Sequence, residues 1–459
     1  MGDERPEPLA ELAGMDRQIA AAARAWREHR ARLAKQPGVA WGQDPLLPYR
    51  SVAGKTAYDA LRAMSPSAVD LPWRDALLRW VHVLTERRIT EDLEADAAVA
   101  SAESSARLDF ASPRLVSWTD AWRGIVMAAT RREAEAWLEA ARLRGPAIAA
   151  VHRERAARSS EVARRLGLAH PFSLGTKMSN DALRRLARAI LDATHDIARA
   201  VHREVTKELP TPSAVDAIRS AVARDAPEGW PARLTSHWFD EIFPGLTDGL
   251  RLRIDLPDVC GAASFARGLG SFGHAVRVAG AAPSLPFAWV RDPAAVDPHR
   301  FALVFGGLPA QVAFQRRVLG LSARVAAAQT RAMWRVNLLE VRAIAVRALL
   351  TDPLAFAGAG DFEELTGALF GVPLPGDLRG AWPSRHPDGW VPLLAVATVP
   401  SLAKDLVSRY DDDWFKNPRA VRFLRGRASG PGRQDSDGEE IDAAASSRAL
   451  AFEFERALG

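Results

Sequence analysis

The sequence has a single cysteine, Cys260, among 459 residues. One cysteine excludes an internal disulfide framework and fits a reducing compartment. Lysine is scarce: only Lys35, Lys55, Lys177, Lys207, Lys404 and Lys416 occur. The formal net charge of +5 therefore rests on arginine. Acidic residues accompany those arginines, as between Arg131 and Arg142, which is the pattern of a solvated helix face and not of a phosphate-binding stripe. Nucleic acid is not an expected partner. No apolar run approaches the roughly 20 residues of a membrane span, so no membrane association is expected either. The first residues, Met1 to Pro8, are acidic and polar, unlike a secretory leader. A cytoplasmic location is the expectation.

What the chain does have is ordinary globular composition, 48% hydrophobic and 25% charged, with helical periodicity nearly throughout. Leu12, Ile19, Trp26 and Leu33 recur every seventh residue on one stripe of a long helix. Pro72 sits where a helix starts, ahead of Leu77, Leu78, Val81 and Leu84. Ser112-Pro113 predicts another start, leading to Trp118, Trp122, Ile125 and Val126. Ser179-Asn180-Asp181 opens a stripe running from Leu183 to Val205, and Leu321 to Leu350 forms a further long helix. Gly426 to Gly438 reads as an exposed, mobile loop, followed by a last helix over about Ala443 to Leu458. The many tryptophans are expected to anchor cores. One segment departs from the helical period: Leu250, Leu252, Ile254 and Leu256 alternate with Arg251, Arg253 and Asp255, which predicts a strand.

After that segment the chain reads Gly270-Ser271-Phe272-Gly273-His274-Ala275 within a helix. This layout resembles the active-site helix of the oligopeptidase family of zinc metallopeptidases, the thimet oligopeptidase and oligoendopeptidase F group. There the corresponding helix reads His-Glu-Phe-Gly-His-Ala. The last four positions match and the first two do not. Phe305-Gly306-Gly307-Leu308-Pro309-Ala310-Gln311 is similar to the family's later segment carrying the third zinc ligand. On this alignment the ligand glutamate falls on Gly307, 33 residues after His274, a long spacing for the family. Three weaker echoes flank these: Ala163 to Leu168, the stretch from His386 to Trp390, and Asn417 to Leu424. The resemblance spans about residues 150 to 430.

The chemistry that the resemblance implies is largely absent. A catalytic zinc needs three protein ligands and an open position for water. The glutamate beside the first histidine acts as general base on that water. Here Gly270 and Gly307 offer no donor, Ser271 has no useful basicity, and only His274 remains. Neither metal nor cofactor is expected. Other constellations are weaker. His195 and His202, seven apart with Asp192, Asp196 and Glu204 nearby, read as a solvated face. Asp411-Asp412-Asp413 reads as a helix end or a loop run, not as a magnesium site. Gly268, Gly270 and Gly273 do not have the spacing of a dinucleotide fingerprint.

The expected fold is therefore mainly α: a two-lobed, zincin-like oligopeptidase fold with a small β-sheet beside the degenerate active-site helix. Residues 1–150 would form an N-terminal helical region, 151–430 the peptidase-like core, and 431–459 the loop and C-terminal helix. The implied function is that of a catalytically inactive peptidase homologue that binds a peptide or protein, in a groove flanked by Arg251, Arg253 and His386. Two alternatives stay open: a hydrolase using the same groove with other residues, and an unrelated helical scaffold.

Overall fold

The computed structural model describes residues 7–35, 44–67, 70–105, 118–143, 145–168, 178–207, 209, 213–221, 230–231, 234–252, 254, 261–351, 359–380, 382, 390–431 and 441–459. The architecture is mainly α-helical and two-lobed. In chain order the α-helices are α1 (Glu7–Lys35), α2 (Lys55–Ala63), α3 (Leu71–Ser105), α4 (Trp118–Met127), α5 (Arg131–Arg142), α6 (Gly145–Arg165), α7 (Asn180–Ala193), α8 (His195–Thr206) and α9 (Ala214–Ala221). There follow α10 (Ser236–Ile242), α11 (Ala262–Ala279), α12 (Phe287–Val290), α13 (Asp297–Gly306), α14 (Val312–Arg317) and α15 (Ala323–Thr351). The last are α16 (Ala359–Phe370), α17 (Val391–Tyr410), α18 (Pro418–Ala428) and α19 (Ala443–Leu458).

Three hydrophobic cores hold these helices together. The N-terminal core takes Leu12, Ile19 and Trp26 from α1, Leu77, Val81 and Leu84 from α3, and Val162 and Leu166 from α6. The heptad stripe of α1 thus buries as its spacing dictates. A second core is rich in phenylalanine: Phe239, Phe265, Phe272, Phe301, Phe305 and Phe314 are all fully buried, with Trp414 beside them. The third gathers α4, α5, α7, α9, α16 and α19. Two long helices join the second and third cores. α15 gives Met333 and Val336 to one and Val341, Ile344 and Leu349 to the other; α17 gives Leu402 and Leu406 to one and Leu393, Leu394 and Val396 to the other.

The predicted β-sheet is absent. Among the described residues there is no strand. Leu250, Leu252 and Ile254 pack, partly buried, against the phenylalanine-rich core, while Arg251 is exposed. Alternating burial can be met by laying an extended segment on helices. A ladder also needs a neighbouring backbone to exchange N–H and C=O bonds, and none runs beside this segment among the described residues.

Three other expectations shift. The stripe from Leu183 to Val205 is two helices, not one. Ser179 caps the first by accepting from Ala182 N–H (3.1 Å), and the break falls at Thr194, whose hydroxyl donates to the Ile190 carbonyl (2.7 Å). Buried Arg342 of α15 fixes that break, donating to Thr194 Oγ1 (2.6 Å) and to the Leu191 carbonyl at the end of α7 (2.8 Å). Burial draws its pKa down to about 10, still cationic at neutral pH. Gly426 lies inside α18, not in a loop; residues 432–440 and the Ser112-Pro113 start lie outside the described residues. Finally, α17 is long and apolar enough to cross a membrane by length and composition alone, contrary to the sequence reading. A core helix has the same composition, and Val391, Leu393, Leu394, Val396, Leu402 and Leu406 bury it in two cores.

Candidate functional site

The motif read in the sequence lies on α11, which packs along α13 more extensively than any other two helices do among the described residues. Gly261, at φ 106°, turns the chain into α11 without a steric penalty. Pro298 in the first turn of α13 suits a helix start. The matched residues Phe272 and Gly273 serve this packing. Phe272 stacks on Phe239 with ring centroids 4.3 Å apart, and meets Phe305 of α13 edge to face at 5.6 Å. A Cβ built on Gly273 would lie 2.6 Å from the Phe301 carbonyl oxygen and 2.7 Å from the Phe305 ring. Only glycine allows α13 to sit so near.

One turn earlier the two backbones touch. A Cβ at Gly270 would come 3.1 Å from the Ala302 carbonyl oxygen. A Cβ at Gly306 would come 3.1 Å from the Ala266 carbonyl oxygen and 3.6 Å from Gly270 Cα. Gly270 therefore faces Gly306, not Gly307. Gly307 ends α13, and a Cβ there meets the Leu303 and Val304 carbonyls of its own helix, at 3.1 and 3.6 Å, with nothing of α11 within 4 Å. It lies one peptide step, about 3.8 Å between Cα atoms, beyond the contact.

His274 stands one turn past Gly270 and is half-buried, as are Gly270, Ser271 and Gly307. Its ring lies edge to face with that of His299, in the first turn of α13, with centroids 5.7 Å apart and planes at 70°. His299 follows His274 by 25 residues, and the motif alignment passes over it. Arg251 is exposed. Arg253 and His386 lie outside the described residues, so the groove proposed from the sequence is represented only by Arg251.

Behind the histidines is a buried ionic cluster. Asp297 is fully buried and takes Arg277 Nε on Oδ2 (2.8 Å) and Arg427 Nη2 on Oδ1 (2.5 Å), with Arg300 Nη1 3.6 Å away. Arg277 also donates to the carbonyls of Ala428 (3.0 Å) and Pro431, where the chain leaves α18. Arg300 donates through Nε to Thr398 Oγ1 of α17 (2.8 Å). One carboxylate thus joins α11, α13 and α18, and Arg300 extends the cluster to α17.

These residues do not fit the catalytic zinc of the oligopeptidases. Among the described residues no group of three or more His, Cys, Asp or Glu side chains is placed to hold a metal. The buried carboxylate two residues before His299, Asp297, is taken by arginines. A Cβ at Gly270 would already press on the Ala302 carbonyl oxygen of α13, at 3.1 Å.

No protein-family model matches the chain, and no curated protein does. Two solved structures share the fold. Trypanosoma cruzi metallocarboxypeptidase 1 aligns with a TM-score of 0.54 at 13% identity, over 98% of this chain and 99% of that one. A Bacillus anthracis str. Ames protein assigned as an oligoendopeptidase F aligns with a TM-score of 0.52 at 11% identity, over 88% of this chain and 82% of that one. At such identities the likeness shows the fold and nothing finer: the chain has the mainly helical, two-lobed architecture of these oligoendopeptidase and metallocarboxypeptidase structures, without a recognisable metal-binding cluster among its described residues.

Proposed function

We propose that this chain is a non-catalytic relative of the oligopeptidases that works by binding a peptide or protein. The observation that supports this most directly is the contact between Gly270 and Gly306. In a zinc peptidase, long ligand side chains, a metal and a water separate the site helices. Here the helices have closed on glycine, which spares the cost of an empty cavity, about 24 cal/mol per Å³. The binding surface would then lie beside the closed seam, along half-exposed Ser271, His274 and His299. An extended peptide lying there would be held by these polar side chains.

The test is direct. The full chain, freed of loosely bound metal by dialysis, is titrated with a library of fluorescent unstructured peptides, and the products are analysed by mass spectrometry. Binding without cleavage is expected. Ser271→Trp should weaken it about tenfold or more, a loss of about 1.4 kcal/mol, with the thermal midpoint unchanged. Chelator-sensitive cleavage that disappears in His274→Ala would overturn the reading. Peptide binding indifferent to Ser271→Trp would remove the ligand from this surface.

A further inference from the structure

The segment joining α11 to α13 belongs physically to the N-terminal helices. Ala288 of α12 is fully buried in the N-terminal core, and the Phe287 ring meets Trp80 of α3 with centroids 5.5 Å apart. Two polar contacts fasten it. Asp16 of α1, itself buried, accepts from the Phe287 N–H (2.9 Å), the Ala288 N–H (2.8 Å) and Trp73 Nε1 (3.2 Å). Five residues after Phe287, Asp292 takes Arg79 of α3 in a two-pronged pair, Nε to Oδ1 at 2.7 Å and Nη2 to Oδ2 at 2.5 Å. Asp292 Oδ1 also accepts from the Ala294 N–H (2.9 Å), shaping the turn into α13. Both members of the pair are buried.

Buried carboxylates with every strong donor in place specify a geometry more sharply than apolar contact, because a small displacement leaves a charge unpaired away from water. Four residues separate Asp292 from the start of α13, and α13 is locked to α11 through Gly273 and through Gly270 and Gly306. We propose that Asp16 and the Arg79–Asp292 pair form a clamp through which the N-terminal helices control the α11–α13 seam. Displacing α1 and α3 either tears the clamp or drags the linker and loosens the seam. A ligand that engages the N-terminal helices would thus be felt at Ser271, His274 and His299. The clamp does not depend on the binding function proposed above, and its test uses no ligand.

Hydrogen exchange of the full chain, read peptide by peptide, tests it. Asp292→Asn and the milder Asp16→Asn are compared with Val81→Ala, which opens a cavity in the same N-terminal core without touching the clamp. The expected result is exchange in α11 and α13 about tenfold faster in both clamp variants, and unchanged there in Val81→Ala, whose effect stays in α1 to α3. The inference is overturned if the clamp variants leave α11 and α13 at wild-type rates. It is equally overturned if Val81→Ala loosens them as much, since the effect would then be general destabilisation.

Discussion

Gly270 and Gly306 meet backbone to backbone: a Cβ on Gly306 would stand 3.6 Å from the Cα of Gly270 and 3.1 Å from the Ala266 carbonyl oxygen. Glycine in a helix costs about 1 kcal/mol relative to alanine, and here the close approach of α11 and α13 offsets that cost.

A graded response to alanine follows. Gly273→Ala should destabilise most, by about 1–3 kcal/mol as an overpacked site, because its Cβ would lie 2.6 Å from a backbone oxygen. Gly270→Ala and Gly306→Ala should lose less, with built contacts of 3.1 Å. Gly426→Ala, with nothing within 4 Å inside α18, should gain up to about 1 kcal/mol. Urea denaturation of the four variants measures the series; equal losses at Gly273 and Gly426 would contradict the packing argument.

Restoring the peptidase motif should not restore the metal. The triple variant Gly270→His, Ser271→Glu, Gly307→Glu is expected to hold well under one zinc per chain after dialysis. The imidazole at 270 would run into α13, and the carboxylate at 307 would project from a position with no α11 atom within 4 Å. Elemental analysis decides. One tightly held zinc per chain would mean that the helices part easily.

Asp297 holds the cluster that joins α11, α13 and α18. Asp297→Asn takes the paired carboxylate from buried Arg277, a change that costs about 3–5 kcal/mol where one partner of a buried pair is removed. The expected outcome is a lower denaturation midpoint at unchanged slope. A loss under 1 kcal/mol would show that the carbonyls of Ala428 and Pro431 suffice for Arg277.

His202 of α8 lies flat on Gly371, where a Cβ would fall 2.4 Å from its ring. Burial lowers its pKa below the usual histidine value. The unfolded chain then binds the proton more readily than the folded one, so stability is full above about pH 6.5 and falls as the pH drops through that value toward the folded pKa. His202→Gln should flatten this part of the profile of thermal midpoint against pH. An unchanged slope between pH 7 and 5 would place the pH sensitivity elsewhere.

Local rules acted on single helices, and there the sequence was decisive. The sevenfold spacing of Leu12, Ile19 and Trp26 fixed a buried stripe, Ser179 set the start of α7, and the last helix runs over Ala443–Leu458 as its periodicity required. Glycine at 270 and 307 offers a metal no side-chain donor whatever the fold. What the sequence left open depended on partners distant along the chain. Whether alternating leucines at 250, 252 and 254 become a strand is decided by a neighbouring backbone, and here helices received them instead. The Leu183 to Val205 stripe breaks because Arg342, far along the chain, reaches Thr194. Which of two adjacent glycines opposes Gly270 is a one-residue register between α11 and α13, invisible to a motif and settled by the approach of the Ala266 carbonyl to Gly306. The pairing of His274 with His299 likewise arises only when those two helices close, and the binding of Asp297 by Arg277 and Arg427 only when α11 and α18 both reach α13.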